Sequence, residues 1–133
     1  MEIKIESKIG KLRNDEKYIY TFVSDCNNFK QLVGDKVKNW QSESDACSFS
    51  VDGVGDLMFR IVEKTPNNMI KFSIENAKTE NVFLWIQLKN ISLGDTRIKL
   101  TTKLNANPMI KILISKPLKE GLDKVVDTLE RIC

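Results

Sequence analysis

A chain of 133 residues with 41% hydrophobic and 29% charged residues has the composition of one ordinary globular domain, neither disordered nor fibrous. Its 21 Lys and Arg exceed its 18 Asp and Glu by only three charges, and the signs are interleaved, which argues against a phosphate-neutralising stripe and so against nucleic-acid binding. It contains no histidine, which excludes Ser-His-Asp triads, the usual imidazole general base and the histidine-based zinc patterns.

The first element is a strand over Glu2–Ile9. Ile3, Ile5, Ser7 and Ile9 share one face, Glu2, Lys4, Glu6 and Lys8 the other, and Gly10 ends it. Asn14 then offers an N-cap, with Asp15 and Glu16 in the first turn, where carboxylates complement the helix dipole. Tyr18, Ile19, Phe22 and Val23 follow at helical spacing, giving a short helix to about Ser24. Asp25 caps a second short helix carrying Phe29, Leu32 and Val33, which Gly34 stops.

From Lys36 to Ala106 the period becomes two. Val37–Ser42 and Ala46–Val51 flank the polar turn Ser42-Glu43-Ser44-Asp45, and Asp52-Gly53 signals a hairpin before Val54–Lys64. Leu57, Phe59 and Ile61 share a face there, opposite Asp56, Met58, Arg60 and Val62. After the turn Pro66-Asn67-Asn68, Ile70, Phe72 and Ile74 alternate with Lys71, Ser73 and Glu75. A turn over Asn76–Asn81 leads to Val82, Leu84, Ile86 and Leu88 alternating with Phe83, Trp85, Gln87 and Lys89. Beyond Gly94-Asp95, Ile98, Leu100, Thr102 and Leu104 alternate with Arg97, Lys99, Thr101 and Lys103. These read as antiparallel meander strands.

Pro108 opens a long amphipathic helix. Leu118, Leu122, Val125, Val126, Leu129 and Ile132 recur at three and four, with Asp123, Lys124, Asp127, Glu130 and Arg131 on the opposite face. Pro117 either disturbs this helix or marks its real first turn. The longest basic cluster, Lys111–Lys119, reads as a solvated face. No repeat or linker interrupts the chain, so residues 1–133 form a single domain, and no apolar run reaches the ~20 residues of a membrane span. Cys26, Cys47 and Cys133 are odd in number and never spaced CxxC, and the N-terminus has no signal-peptide core, so the expected compartment is reducing and cytoplasmic. Without histidine to generate a thiolate, Cys26 and Cys47 read as small buried apolar groups.

One strand, two short helices, six antiparallel strands and a long C-terminal helix make an α+β domain. A curved sheet of about seven strands gripping the helix on its concave face would bury every apolar face named above. This order, with Glu2-Ile3-Lys4-Ile5-Glu6-Ser7, then Asp15 through Asp25 with Phe22 near the helix end, then Asn28-Phe29, resembles the helix-grip superfamily of START domains, polyketide cyclases and birch-pollen allergens. Where many members carry tryptophan and proline in the second helix, this chain has Phe29-Lys30-Gln31. The resemblance implies an apolar cavity holding a hydrophobic or amphipathic small molecule such as a lipid, polyketide or isoprenoid.

Residues expected to line such a cavity are Leu57, Phe59, Ile61, Ile70, Phe72, Ile74, Leu84, Ile86, Leu100 and Leu104 from the sheet, with Leu118, Leu122, Val125 and Leu129 from the helix. Polar orientation would come mainly from Thr102, with Ser48 and Ser50 as further candidates. Trp85 either lines the cavity with Gln87 or forms an exposed pair with Phe83 that serves a homodimer or protein partner. Trp40 belongs near the cavity opening. Asp56 and Arg60 fall on the solvated side, and Glu63 and Glu75 have no visible partner to raise a pKa. Asp52-Gly53-Val54-Gly55-Asp56 lacks the following helix a phosphate cradle needs.

The expectation is therefore non-catalytic binding, with no catalytic residue, cofactor or metal. A cyclase or dehydratase, with Tyr18, Tyr20 or Asp56 as its acid or base, and a protein-interaction domain docking through Phe83 and Trp85 are the alternatives.

Overall fold

The computed structural model describes the backbone of every residue except 77 and 78, and the side chains of all the rest except Thr79 and Glu80. The expected first strand is split in two, β1 at Glu2–Glu6 and β2 at Gly10–Leu12. Then come α1 (Glu16–Val23), a single 3-10 turn (Cys26–Asn28) and α2 (Lys30–Val33). Six strands follow: β3 (Val37–Glu43), β4 (Ala46–Val51), β5 (Gly55–Thr65), β6 (Met69–Asn76), β7 (Thr79–Ser92) and β8 (Asp95–Asn105). The long helix α3 spans Pro108–Ile132. The turn expected over Asn76–Asn81 falls partly on 77 and 78, outside the described residues.

All eight strands form one antiparallel sheet in the order β1-β8-β7-β6-β5-β4-β3, with β2 continuing beside β8. The register puts Ile61, Phe72, Leu84, Thr102 and Ile5 in one cross-strand row. A row across five strands with four large apolar groups needs a cover, and α1, α2 and α3 supply it. Ile19 and Val23 of α1, Phe29 and Leu32, and Leu122, Val126 and Leu129 of α3 are buried in the same cluster as Ile70, Phe72, Leu100 and Ile98. α3 packs against β1, β2, β8 and α2.

Several local expectations need correction. Gly10 does not end the first strand; it begins its second segment, and Ile9, expected beside Ile3 and Ile5, is exposed. α3 lies close at this point: a Cβ on Gly10 would be 2.5 Å from Val126 Cγ1 and 3.0 Å from Ile98 Cγ2. Asp15, not Asn14, caps α1, and its carboxylate accepts instead from Gly94 N–H at 3.0 Å. Asn14 Nδ2 donates to the Cys133 carbonyl at 2.6 Å. Pro117 lies inside α3, while Pro108 fills its first turn and Asn107 Oδ1 accepts from Ile110 N–H at 2.9 Å. The helix runs through Pro117 although proline cannot donate to the preceding turn.

The acidic side of α3 is not simply solvated. Breaking the first strand frees backbone N–H groups, and acidic side chains of α3 accept them: Lys8 N–H reaches Asp123 Oδ1 at 2.7 Å and Lys11 N–H reaches Glu130 Oε2 at 3.0 Å. Lys8 Nζ also bonds to Asp127. The Asp123 carboxyl is held below its ordinary value, chiefly by the Lys8 N–H and then by Lys119. A depressed folded-state pKa stabilises above the unfolded carboxyl value of about 4 and is lost as pH falls through the folded value. Asp123→Ala should therefore lower the urea midpoint at neutral pH, and the gap from the parent protein should close in acid.

Candidate functional site

The residues expected to line the interior divide into two groups. Ile70, Phe72, Leu84, Ile86, Leu100, Leu104, Leu122 and Leu129 are buried. Leu57, Phe59, Ile61, Ile74, Leu118 and Val125 are half-buried against that core. The buried group is sealed by side chains from the short helices, with the Phe29 ring 5.3 Å from Phe72. The half-buried group leaves apolar surface on β5, β6 and the middle of α3, because α3 packs closely on the β1–β2–β8 side of the sheet.

An aromatic stack extends this surface to the sheet edge. Trp40 lies 5.5 Å from Phe49, and Phe49 lies 5.6 Å from Phe59, both pairs within 20° of parallel. Irregular pairing between Lys38 and Gln41 turns Trp40 onto the face of Phe49. Its Nε1 donates to Ser42 Oγ at 3.2 Å, and that hydroxyl donates to Asn27 Oδ1 at 2.7 Å. Trp40 is thereby half-buried against the core. Phe49 was missing from the expected lining, although its alternation with Ser48 and Ser50 carried the signal.

Polar groups inside are few. Among the buried polar side chains, Thr96 Oγ1 donates to the Asn14 carbonyl, Thr101 Oγ1 to Gln87 Oε1, and Ser7 Oγ to the Lys8 carbonyl. Thr102 is 3% exposed, sits between Leu84 and Ile5 in the concave row, and has no hydrogen-bond partner for its hydroxyl among the described residues. No fully enclosed side-chain nitrogen or oxygen among them lacks a partner, so this hydroxyl borders space that a water-sized group can reach. Ser48 and Ser50 pair with Met58 and Asp56 and so take the outer face, where Ser50 Oγ donates to Asp56 Oδ1 at 2.6 Å. Of the candidate acids and bases, Tyr18 and Asp56 are exposed, whereas Tyr20 is half-buried against the core.

The cysteines are buried and free. A hydrogen bond to Cys47, reinforced by burial, holds the Cys26 thiol far above the ordinary range, and burial also raises Cys133. Both are therefore neutral thiols at physiological pH.

Trp85 and Phe83 lie on the convex face, opposite Leu84 and Ile86, so Trp85 and Gln87 do not line the interior. Their rings are 6.0 Å apart and half-buried. Lys71 Nζ lies 4.5 Å from the Phe83 centroid, and Lys103 Nζ lies 5.5 Å from that of Trp85. Alkyl stems and ammonium groups thus cover much of the pair.

Neither a family model nor a curated protein matches the sequence. Solved structures do match. Truncated norcoclaurine synthase from Thalictrum flavum superposes with a TM-score of 0.80 at 11% identity, over 99% of this chain and 93% of that one. A START superfamily protein from Mycobacterium smegmatis superposes with a TM-score of 0.69 at 14% identity, over 99% of each chain. This chain has the START-like helix-grip fold. The Aha1 dimer from Colwellia psychrerythraea shares it, with a TM-score of 0.67 at 15% identity over 96% of each chain. At such identities the helix grip is a common scaffold, and its chemistry must be read from the side chains inside. Among the described residues those are mainly aliphatic and aromatic groups, with the Thr102 hydroxyl on the same face.

Proposed function

We propose that this protein binds a hydrophobic or amphipathic, lipid-like small molecule between the sheet and α3 without transforming it. The observation that carries the reading is the apolar surface that Leu57, Phe59, Ile61 and Ile74 leave half-buried beside the core, on the same side of the sheet as the Thr102 hydroxyl, which has no protein partner among the described residues. That hydroxyl borders space a water-sized group can reach, and a ligand's polar end would take the water's place. The half-buried Leu57, Phe59, Ile61 and Ile74 would take its apolar part. No helix among the described residues is long and apolar enough to cross a membrane. The reduced state of the cysteines fits the cytoplasmic setting that we include in this proposal.

Incubation with a lipid extract followed by native mass spectrometry should reveal a bound species. Thr102→Val should weaken its retention by about three- to tenfold, the worth of one hydrogen bond. Persistent absence of any bound species would overturn the proposal. A cyclase-like reading depends on Tyr20, the one candidate acid packed against the core. It predicts product formation by the parent protein that Tyr20→Phe abolishes.

A further inference from the structure

The first two turns of α3 differ from the rest of the helix in the apolar surface they expose. From Lys116 onward its exposed positions are mostly charged, Pro117, Gly121 and Ile132 apart, whereas Met109, Ile110, Ile112 and Leu113 are 73%, 44%, 80% and 68% exposed. Four large apolar side chains within five residues are therefore held in water by a rigid helix that starts at a satisfied Asn107 cap. The charges within the segment itself have one sign. Between Ala106 and Lys119 there are three lysines and no carboxylate. Lys119 pairs with Asp123 at 2.9 Å, but Lys111 and Lys116 have no acidic partner among the described residues.

We infer that this end of α3 docks on the surface of an anionic membrane, the apolar side chains entering the headgroup boundary and Lys111 and Lys116 meeting lipid phosphates or carboxylates. Apolar insertion and basic attraction are the two contributions that hold an interfacial helix on a bilayer, and this segment supplies both. A two-fold contact with a second copy fits less well, since it would bring Lys111 and Lys116 towards their own copies with no carboxylate in the segment to pair them. The surface is separate from the ligand interior and requires no ligand in it, so either proposal can fail alone.

The test is co-sedimentation of the full chain with phosphatidylcholine vesicles, with and without phosphatidylserine. Binding should require phosphatidylserine and weaken as salt rises. Lys111→Gln and Lys116→Gln should each lower the partition coefficient about fivefold, and Leu113→Glu should lower it more than about tenfold. All three sites are exposed, so unchanged thermal melting would show that the fold is retained. Equal binding to both vesicle types, or variants that bind as the parent does, would overturn the inference. So would absence of vesicle binding together with a dimer that Leu113→Glu dissociates in sedimentation velocity, an outcome that would assign the face to self-association.

Discussion

Phe72→Ala should lower the free energy of unfolding by about 3–5 kcal/mol, the range for removing a buried aromatic ring that its surroundings cannot replace. Phe72 is fully buried at the centre of the sheet, facing Ile61 on one neighbouring strand and Leu84 on the other. Its ring is 5.3 Å from that of Phe29, which belongs to the short-helix layer. The substitution would therefore open a void beneath two layers at once. Relaxation is restricted because β6 is hydrogen-bonded on both sides. Phe72→Leu, which keeps most of the volume, should cost less than about 1.5 kcal/mol. Urea unfolding of the three proteins measures both values. A loss near 1 kcal/mol for Phe72→Ala would show that the core closes over the gap and that the sheet and the short helices are not rigidly joined.

Gly10→Ala should cost about 1–3 kcal/mol by overpacking, although alanine is ordinarily the better residue in a strand. The added methyl would sit 2.5 Å from Val126 Cγ1, a distance that cannot be occupied without movement of β2 or α3. Val126 is fully buried and cannot swing into solvent. Shortening it should relieve the clash, so Gly10→Ala with Val126→Ala should lose less than the sum of the single losses, by on the order of 1 kcal/mol. Strict additivity in chemical denaturation would show that β2 and α3 do not meet at this point.

Much of the architecture was legible because strands with one buried face advertise it at period two. Ile70-Phe72, Leu84-Ile86-Leu88 and Ile98-Leu100-Leu104 each entered the core as alternation required, with Ile74 half-buried against it. The same rule could not say which face of β7 turns inward, since Phe83 and Trp85 are as apolar as Leu84 and Ile86. That choice belongs to the register and the covering helices, which enclose the even-numbered residues and leave the aromatic pair to Lys71 and Lys103.

Thr102 shows how a site residue can be visible and still lack meaning in one dimension. Its period places it on the inner face, but nothing local reveals that Thr101 would find Gln87 while its own hydroxyl would find no partner. Asp123, Asp127 and Glu130 show the converse. Their helical spacing identifies a polar face, and only the approach of Lys8 and Lys11, more than a hundred residues away in sequence, turns that face into a clasp.

Local chemistry was therefore enough for the elements, their order and the apolar character of the interior, because periodicity and turn residues act over a few neighbours. The absence of histidine, also plain from composition, removed the commonest catalytic groups. Tertiary packing decided the split at Gly10, the outward turn of Trp85, the isolation of Thr102 and the exposure of Met109–Leu113. Each depends on strand register and on how the helices cover the sheet, which are set by side chains far apart in the chain.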